Sequence, residues 1–136
     1  MNAPTAPELL SRASAALVER DVAGTIVAVA TGRKMLYVEV ERPDGTREAG
    51  MVHGPDVELP DVTGQDALGV VDRAARPSAD LGLRAVGIGV LNALSRPFVD
   101  WRTGDPMSPD PDAVDVIAVV GLFGPVLKGY DDREVR

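Results

Sequence analysis

Between Pro77 and Pro97 runs the stretch that most restricts what this chain can become: Ser-Ala-Asp-Leu-Gly-Leu-Arg-Ala-Val-Gly-Ile-Gly-Val-Leu-Asn-Ala-Leu-Ser-Arg. Apolar residues recur at helical spacing, with Leu81, Ala85, Ile88 and Leu91 or Asn92 on one side and Leu83, Val86, Val90 and Leu94 on another. A helix apolar on most of its circumference belongs at the centre of a domain. Ser78 is placed to cap the first turn, and Asp80 sits where the helix dipole favours negative charge. Three internal glycines, each about 1 kcal/mol worse than alanine in a helix, require a reason. Gly82, Ala85, Gly89 and Ala93 form one stripe of small residues, so another backbone is expected to pack very close along it.

The rest of the chain must surround that helix. Thr5-Ala6-Pro7-Glu8 reads as a capping box with proline in the first turn, followed by the stripe Leu9, Leu10, Ala13, Ala16 and Leu17, ending near Asp21. Thr25 to Thr31 is β-branched and apolar, and Thr31-Gly32-Arg33-Lys34 predicts a tight hairpin with glycine at its first central position. Lys34 to Glu41 alternates, with Leu36, Val38 and Val40 on one face and Tyr37, Glu39 and Glu41 on the other, as a strand with one wet face does. Arg42-Pro43-Asp44-Gly45 supplies a turn. Thr46 to Val52 is the third strand, weakened in its middle by Gly50. His53 to Val62 is polar and proline-punctuated, a loop. Thr63 is expected to cap a short helix, with Asp66 three residues on and Leu68, Val71 and Ala75 at helical spacing.

The fold expected is therefore α+β: an N-terminal helix, a three-stranded antiparallel meander, and helices packed on one sheet face. Residues 98–113, rich in proline and aspartate, read as a linker after a first domain spanning 1–97. Val114 to Val120 is an apolar run broken by Asp115, of the kind found in strands buried on both faces. A parallel neighbour needs a crossover of a dozen or more residues, and no second strand declares itself after it. Residues 114–136 thus read as the opening strand and turn of a second domain.

Charge and composition exclude several roles. A net charge of −7 opposes binding to a nucleic-acid backbone or an anionic membrane as the main partner. The chain has no cysteine, so a disulfide framework, a thiolate zinc site and a cysteine nucleophile are all ruled out. With one histidine besides, it offers little to a soft metal, and no metal ligands are assigned. No secretory signal and no apolar run of 18 residues is visible, and a cytoplasmic location is expected.

Two segments carry a family likeness: Gly87-Ile88-Gly89-Val90-Leu91-Asn92-Ala93-Leu94, and Val116-Ile117-Ala118-Val119-Val120-Gly121-Leu122-Phe123-Gly124-Pro125. Together they resemble the heavy-metal chelation family, whose members join an enolase N-terminal-like domain to a Rossmann-like domain. In that family a helix ending Gly-x-Ala-x-x-Asn-Ala precedes a linker and a strand ending Val-Gly-x-Phe-x-Pro. Val90 stands one place from where the family's alanine is common, and Gly124 takes a position often held by proline. The resemblance implies an enolase N-terminal-like domain at 1–97, the start of a Rossmann-like domain at 114–136, and a ligand site between the two.

The candidate site residues follow from both lines. Asn92 is polar on a mostly apolar helix and must find hydrogen-bond partners if buried; it either caps a neighbouring loop or contacts a ligand at the cleft. Gly121, Phe123 and Gly124 lie where a strand gives way to a turn, which either is a plain turn or faces a ligand with its backbone N–H groups. His53 with Asp56, Glu58 and Asp61 reads as a solvated polar loop, and Asp105, Asp110 and Asp112 lack calcium-loop spacing. No catalytic motif arranges the serine, histidine and aspartate residues, and no cofactor is identified. The expectation is the N-terminal half of a two-domain protein binding a metal or small ligand at its domain interface. That half would work with a separate partner chain carrying the rest of the second domain or in a truncated form; the alternative is a non-catalytic interaction module, a homodimer that pairs through its C-terminal apolar strand.

Overall fold

Thr5 begins the first element as its sequence requires. Its Oγ1 accepts from the Glu8 backbone N–H at 3.4 Å while the Glu8 carboxylate accepts from the Thr5 N–H at 2.6 Å, closing the capping box of α1 (Ala6–Glu19). The computed structural model describes residues 2–54 and 56–100, together with the short strands Val116–Ile117 and Glu134–Val135. The chain divides into two compact units, Met1–Val99 and Asp100–Arg136.

In the first unit α1 is followed by three strands, β1 (Thr25–Thr31), β2 (Met35–Glu41) and β3 (Arg47–His53), in one antiparallel sheet of order β1-β2-β3. The alternation in β2 decides the two faces: Leu36, Val38 and Val40 are fully buried, and their neighbours Tyr37, Glu39 and Glu41 line the opposite face. Helix α2 (Ala67–Ala74) and helix α3 (Leu81–Ser95) complete the unit, and a short 3₁₀ turn over Arg96–Phe98 follows α3 at its end. Both helices join the sheet's inner face in one core built around Ile26, Val38, Val70, Val86, Val90 and Leu94.

Several local expectations are corrected. The loop between β1 and β2 holds three residues, and its left-handed position is Lys34 at φ 73°, not Gly32. Gly32 instead donates its N–H to the Met35 carbonyl at 2.8 Å. Helix α3 is capped by Asp80, whose carboxylate accepts from the Leu83 N–H at 2.8 Å, so the Ser78 cap is not used. Likewise Asp66, not Thr63, caps α2 by accepting from the Gly69 N–H at 2.8 Å. An aspartate three residues before an amide is the better acceptor in both places, because its charge also meets the helix dipole. His53 belongs to β3 rather than to the loop after it.

Helix α3 meets the sheet with no room for a methyl group. A Cβ added at Gly50 of β3 would collide with the Gly89 carbonyl and stand 2.6 Å from the Ala93 nitrogen. One added at Gly89 would reach Val38 Cγ2 at 2.6 Å, and one at Gly82 would strike the Glu58 carbonyl. The stripe therefore does what its spacing implies, with a refinement: it meets a strand backbone, a valine and a loop in turn. Gly87, outside the stripe, faces Ala74 of α2, where a Cβ would come within 2.5 Å.

In the second unit β4 (Val116–Ile117) pairs in parallel with β5 (Glu134–Val135), in the register Val116↔Glu134 and Ile117↔Val135. No second strand declared itself in the sequence; the partner is Glu134–Val135.

Candidate functional site

The α1 side of α3 contrasts with its sheet side. Leu10 and Leu17 are buried, and Ser14, also buried, donates its hydroxyl to Asp72 Oδ1 of α2 at 3.0 Å. Between these anchors stand Ala13 and Ala16, too small to fill the space to α3. A groove of about 540 Å³ results, lined along its body by Leu9, Leu10, Ala13, Ile88 and Leu91. Leu9 and Phe98 are about half exposed beside it, at 53% and 49%. Three polar side chains lie on its lining: Arg20, Asn92 and Ser95.

Each of these three has a partner within the first unit. Arg20 follows the last turn of α1, donates to the Ala16 carbonyl at 3.3 Å, and carries its guanidinium 5.5 Å from the centre of the Phe98 ring. Asn92 donates from Nδ2 to the Met51 carbonyl of β3 at 2.9 Å. Ser95 donates its hydroxyl to the Asn92 carbonyl at 3.3 Å. Asn92 thus bonds a strand at the sheet edge, where the sequence reading looked for a loop, and also lines the groove.

Of the sequence-predicted site residues, only Asn92 falls within the described part of the chain; Gly121, Phe123 and Gly124 lie outside it. His53, Asp56, Glu58 and Asp61 are all exposed, and among the described residues no three His, Asp or Glu side chains converge as a metal site. The groove itself was missed in the sequence. Its only trace there was the pair Ala13 and Ala16 on a stripe otherwise made of leucine.

Among the described residues four groups have displaced pKa values, and none of the four lines the groove. The Thr5 backbone N–H and then its hydroxyl hold the Glu8 carboxyl below its ordinary 4.5. The Thr46 hydroxyl and then its N–H do the same for Asp44. Partial desolvation and then the Glu39 charge push the Tyr37 phenol up, and the Glu41 carboxylate pushes Arg47 up. All four are local surface pairings, and they arrange no nucleophile beside a base.

No family model and no curated protein matches the chain. Among solved structures it is similar to a protein of unknown function from the DUF364 family of Pyrococcus horikoshii, with a TM-score of 0.63 and 24% sequence identity. The match covers 93% of this chain and 53% of that one, so the chain spans about half the length of that structure. A likeness at this identity shows the fold. No helix among the described residues is long and apolar enough to cross a membrane.

Proposed function

We propose that the first unit is a non-catalytic binding unit for a small amphipathic molecule, held in the groove between α1 and α3. One observation carries the reading: a cavity of about 540 Å³ with an apolar body and three polar side chains, Arg20, Asn92 and Ser95. Small-molecule sites have volumes of roughly 300–1,000 Å³ and combine an apolar lining with a few placed polar groups. Arg20 and Asn92 carry N–H groups beyond those given to the Ala16 and Met51 carbonyls, which suits a ligand with an acceptor head such as a carboxylate or carbonyl on an apolar body, while the Ser95 hydroxyl, its proton given to the Asn92 carbonyl, can only accept. Asn92, for which the sequence left open a loop cap or a ligand contact at a domain cleft, lines this cavity within the first unit. The partial coverage of the structural neighbour supports the further proposal that the chain is one half of a two-domain ligand-binding protein.

Displacement of an environment-sensitive apolar dye by a panel of small carboxylic acids and their amides tests this, alongside the variant Ala13→Phe. Ala13 is only partly buried, so a phenylalanine there can fill the groove without entering the core. Saturable dye uptake, displaced by some panel members and lost in Ala13→Phe at unchanged Tm, is expected. Dye binding that is equal in both proteins would overturn the assignment of the groove. A second reading is an interface between copies, favoured by the exposed Leu9, Val18, Phe98 and Val99. It would show as a dimer that Ala13→Phe dissociates, with no displaceable dye.

A further inference from the structure

The outer face of the sheet, away from α3, collects side chains whose association is not visible from their spacing in the sequence. Met35 pairs with His53, and Tyr37 pairs with Met51, across the β2–β3 ladder. Leu36, Val38 and Val40 point into the core, so Met35 and Tyr37 lie on the opposite face, with Met51 and His53 across from them. Gly54 donates its N–H to the Lys34 carbonyl at 2.9 Å. In a uniform register that makes the 35–53 and 37–51 pairs the non-hydrogen-bonded kind, in which opposing side chains stand closest.

Met35, Met51 and His53 are therefore mutual neighbours. Directly opposite residues have Cβ atoms about 4.5–5.5 Å apart and diagonal ones about 7–8 Å, distances that long side chains span. Met35 and Met51 are 38% and 55% exposed, and His53 is exposed too. Two thioethers and an imidazole form a neutral, soft donor set. Such a set selects a soft monovalent ion, Cu(I) or its analogue Ag(I), over the hard divalent cations that carboxylates prefer. Tyr37 is not counted among the donors, since its hydroxyl is donated to Glu39 Oε2 at 3.3 Å.

We infer that Met35, Met51 and His53 form a surface site for a soft monovalent metal ion of the Cu(I) type. Two thioether sulfurs and one imidazole nitrogen give it three-coordination. The ion binds as it arrives, with no change of oxidation state and no proton released from the thioethers; His53 binds in its neutral form. The site owes nothing to the groove. It lies on the opposite face of the sheet from α3, so the two proposals fail separately.

Silver(I), which is closed-shell and stable in air, is the first probe. The chain contains four methionines, and Met1 and Met107 are built-in controls. In the full-length protein, one equivalent of Ag(I) is expected to shift the ε-methyl signals of Met35 and Met51 and the ring signals of His53, leaving Met1 and Met107 in place. Under anaerobic reducing conditions, competition with a chromophoric Cu(I) chelator should give one ion per chain. Met35→Leu, Met51→Leu and His53→Ala should each weaken binding by about tenfold or more, as loss of a ligand does at a small site. Leucine replaces exposed methionine without disturbing packing, and an unchanged Tm will show it. Shifts spread over all four methionines, affinity indifferent to Met35→Leu and Met51→Leu, or equal retention of zinc would each overturn the site.

Discussion

Helix α3 has two working sides, and they are packed to opposite standards. Towards β3 its backbone lies so near that Gly50 and Gly89 leave no space for a single carbon, while towards α1 there is an open groove of about 540 Å³. Protein interiors are close-packed, so the tight side is the ordinary outcome of burying an apolar face taken to its limit. The loose side is the one that asks for explanation. A chain able to fit glycine against glycine on one face of a helix had leucine available for positions 13 and 16 on the other. The difference separates the contact that holds the unit together from the surface proposed to take a ligand.

The sharpest attempt to break that contrast is Gly50→Ala. Its new methyl would meet backbone atoms of Gly89 and Ala93, which cannot swing aside. The loss expected is about 3 kcal/mol, at the top of the range for overpacked cores, or about 12 °C or more in Tm by thermal unfolding. If Gly50→Ala melts with the parent, the tight contact is not what stabilises the unit. Gly89→Leu presses on Val38 instead, a buried side chain with some freedom, and should lower stability by about 1–3 kcal/mol in denaturant unfolding.

On the looser side the effects shrink. Asn92→Ala removes one exposed hydrogen bond to the Met51 carbonyl, worth about 1 kcal/mol, and water can replace it at the sheet edge. Its larger consequence should appear in dye displacement, where the panel's acceptor groups lose a donor. The smallest effect concerns the start of α1. Glu8 has a folded-state pKa depressed by Thr5, so its contribution is present above the ordinary 4.5 and disappears as the pH falls through the folded value. Glu8→Gln should accordingly melt below the parent at neutral pH and alongside it once the carboxyl is protonated. A constant gap across the acid limb would assign the difference to something other than that carboxylate.

The sequence read well wherever a single period governed. Alternation over Leu36, Val38 and Val40 settled the sheet faces, and the glycine stripe of α3 announced close packing before its partner was known. It read poorly wherever the answer needed a second segment. Gly50 looked like a flaw that weakened the third strand, yet it is the reason that strand can lie against α3. Asn92 was marked as polar and out of place, but its partner at Met51 lies forty-one positions away. Thr63 and Ser78 were plausible caps defeated by Asp66 and Asp80, which lie directly before the helices. His53 was weighed with the carboxylates that follow it, because spacing along the chain cannot show that Met35 stands across the ladder. The groove left almost no mark, since a gap is made by what two helices fail to fill.

The interlocked glycines have a mechanical meaning as well. Two backbones notched into one another cannot slide or roll past each other without first separating, so α3 and the sheet move as one stiff plate. Whatever breathing the first unit has must then be carried by α1, which is tied to its neighbours by two buried leucines and the Ser14–Asp72 bond. Amide hydrogens of β2 and α3, and those of β3 that face β2, would exchange only on whole-unit opening, while those of α1 exchange through smaller, more frequent excursions. The groove would widen and narrow as its outer wall swings against a fixed one.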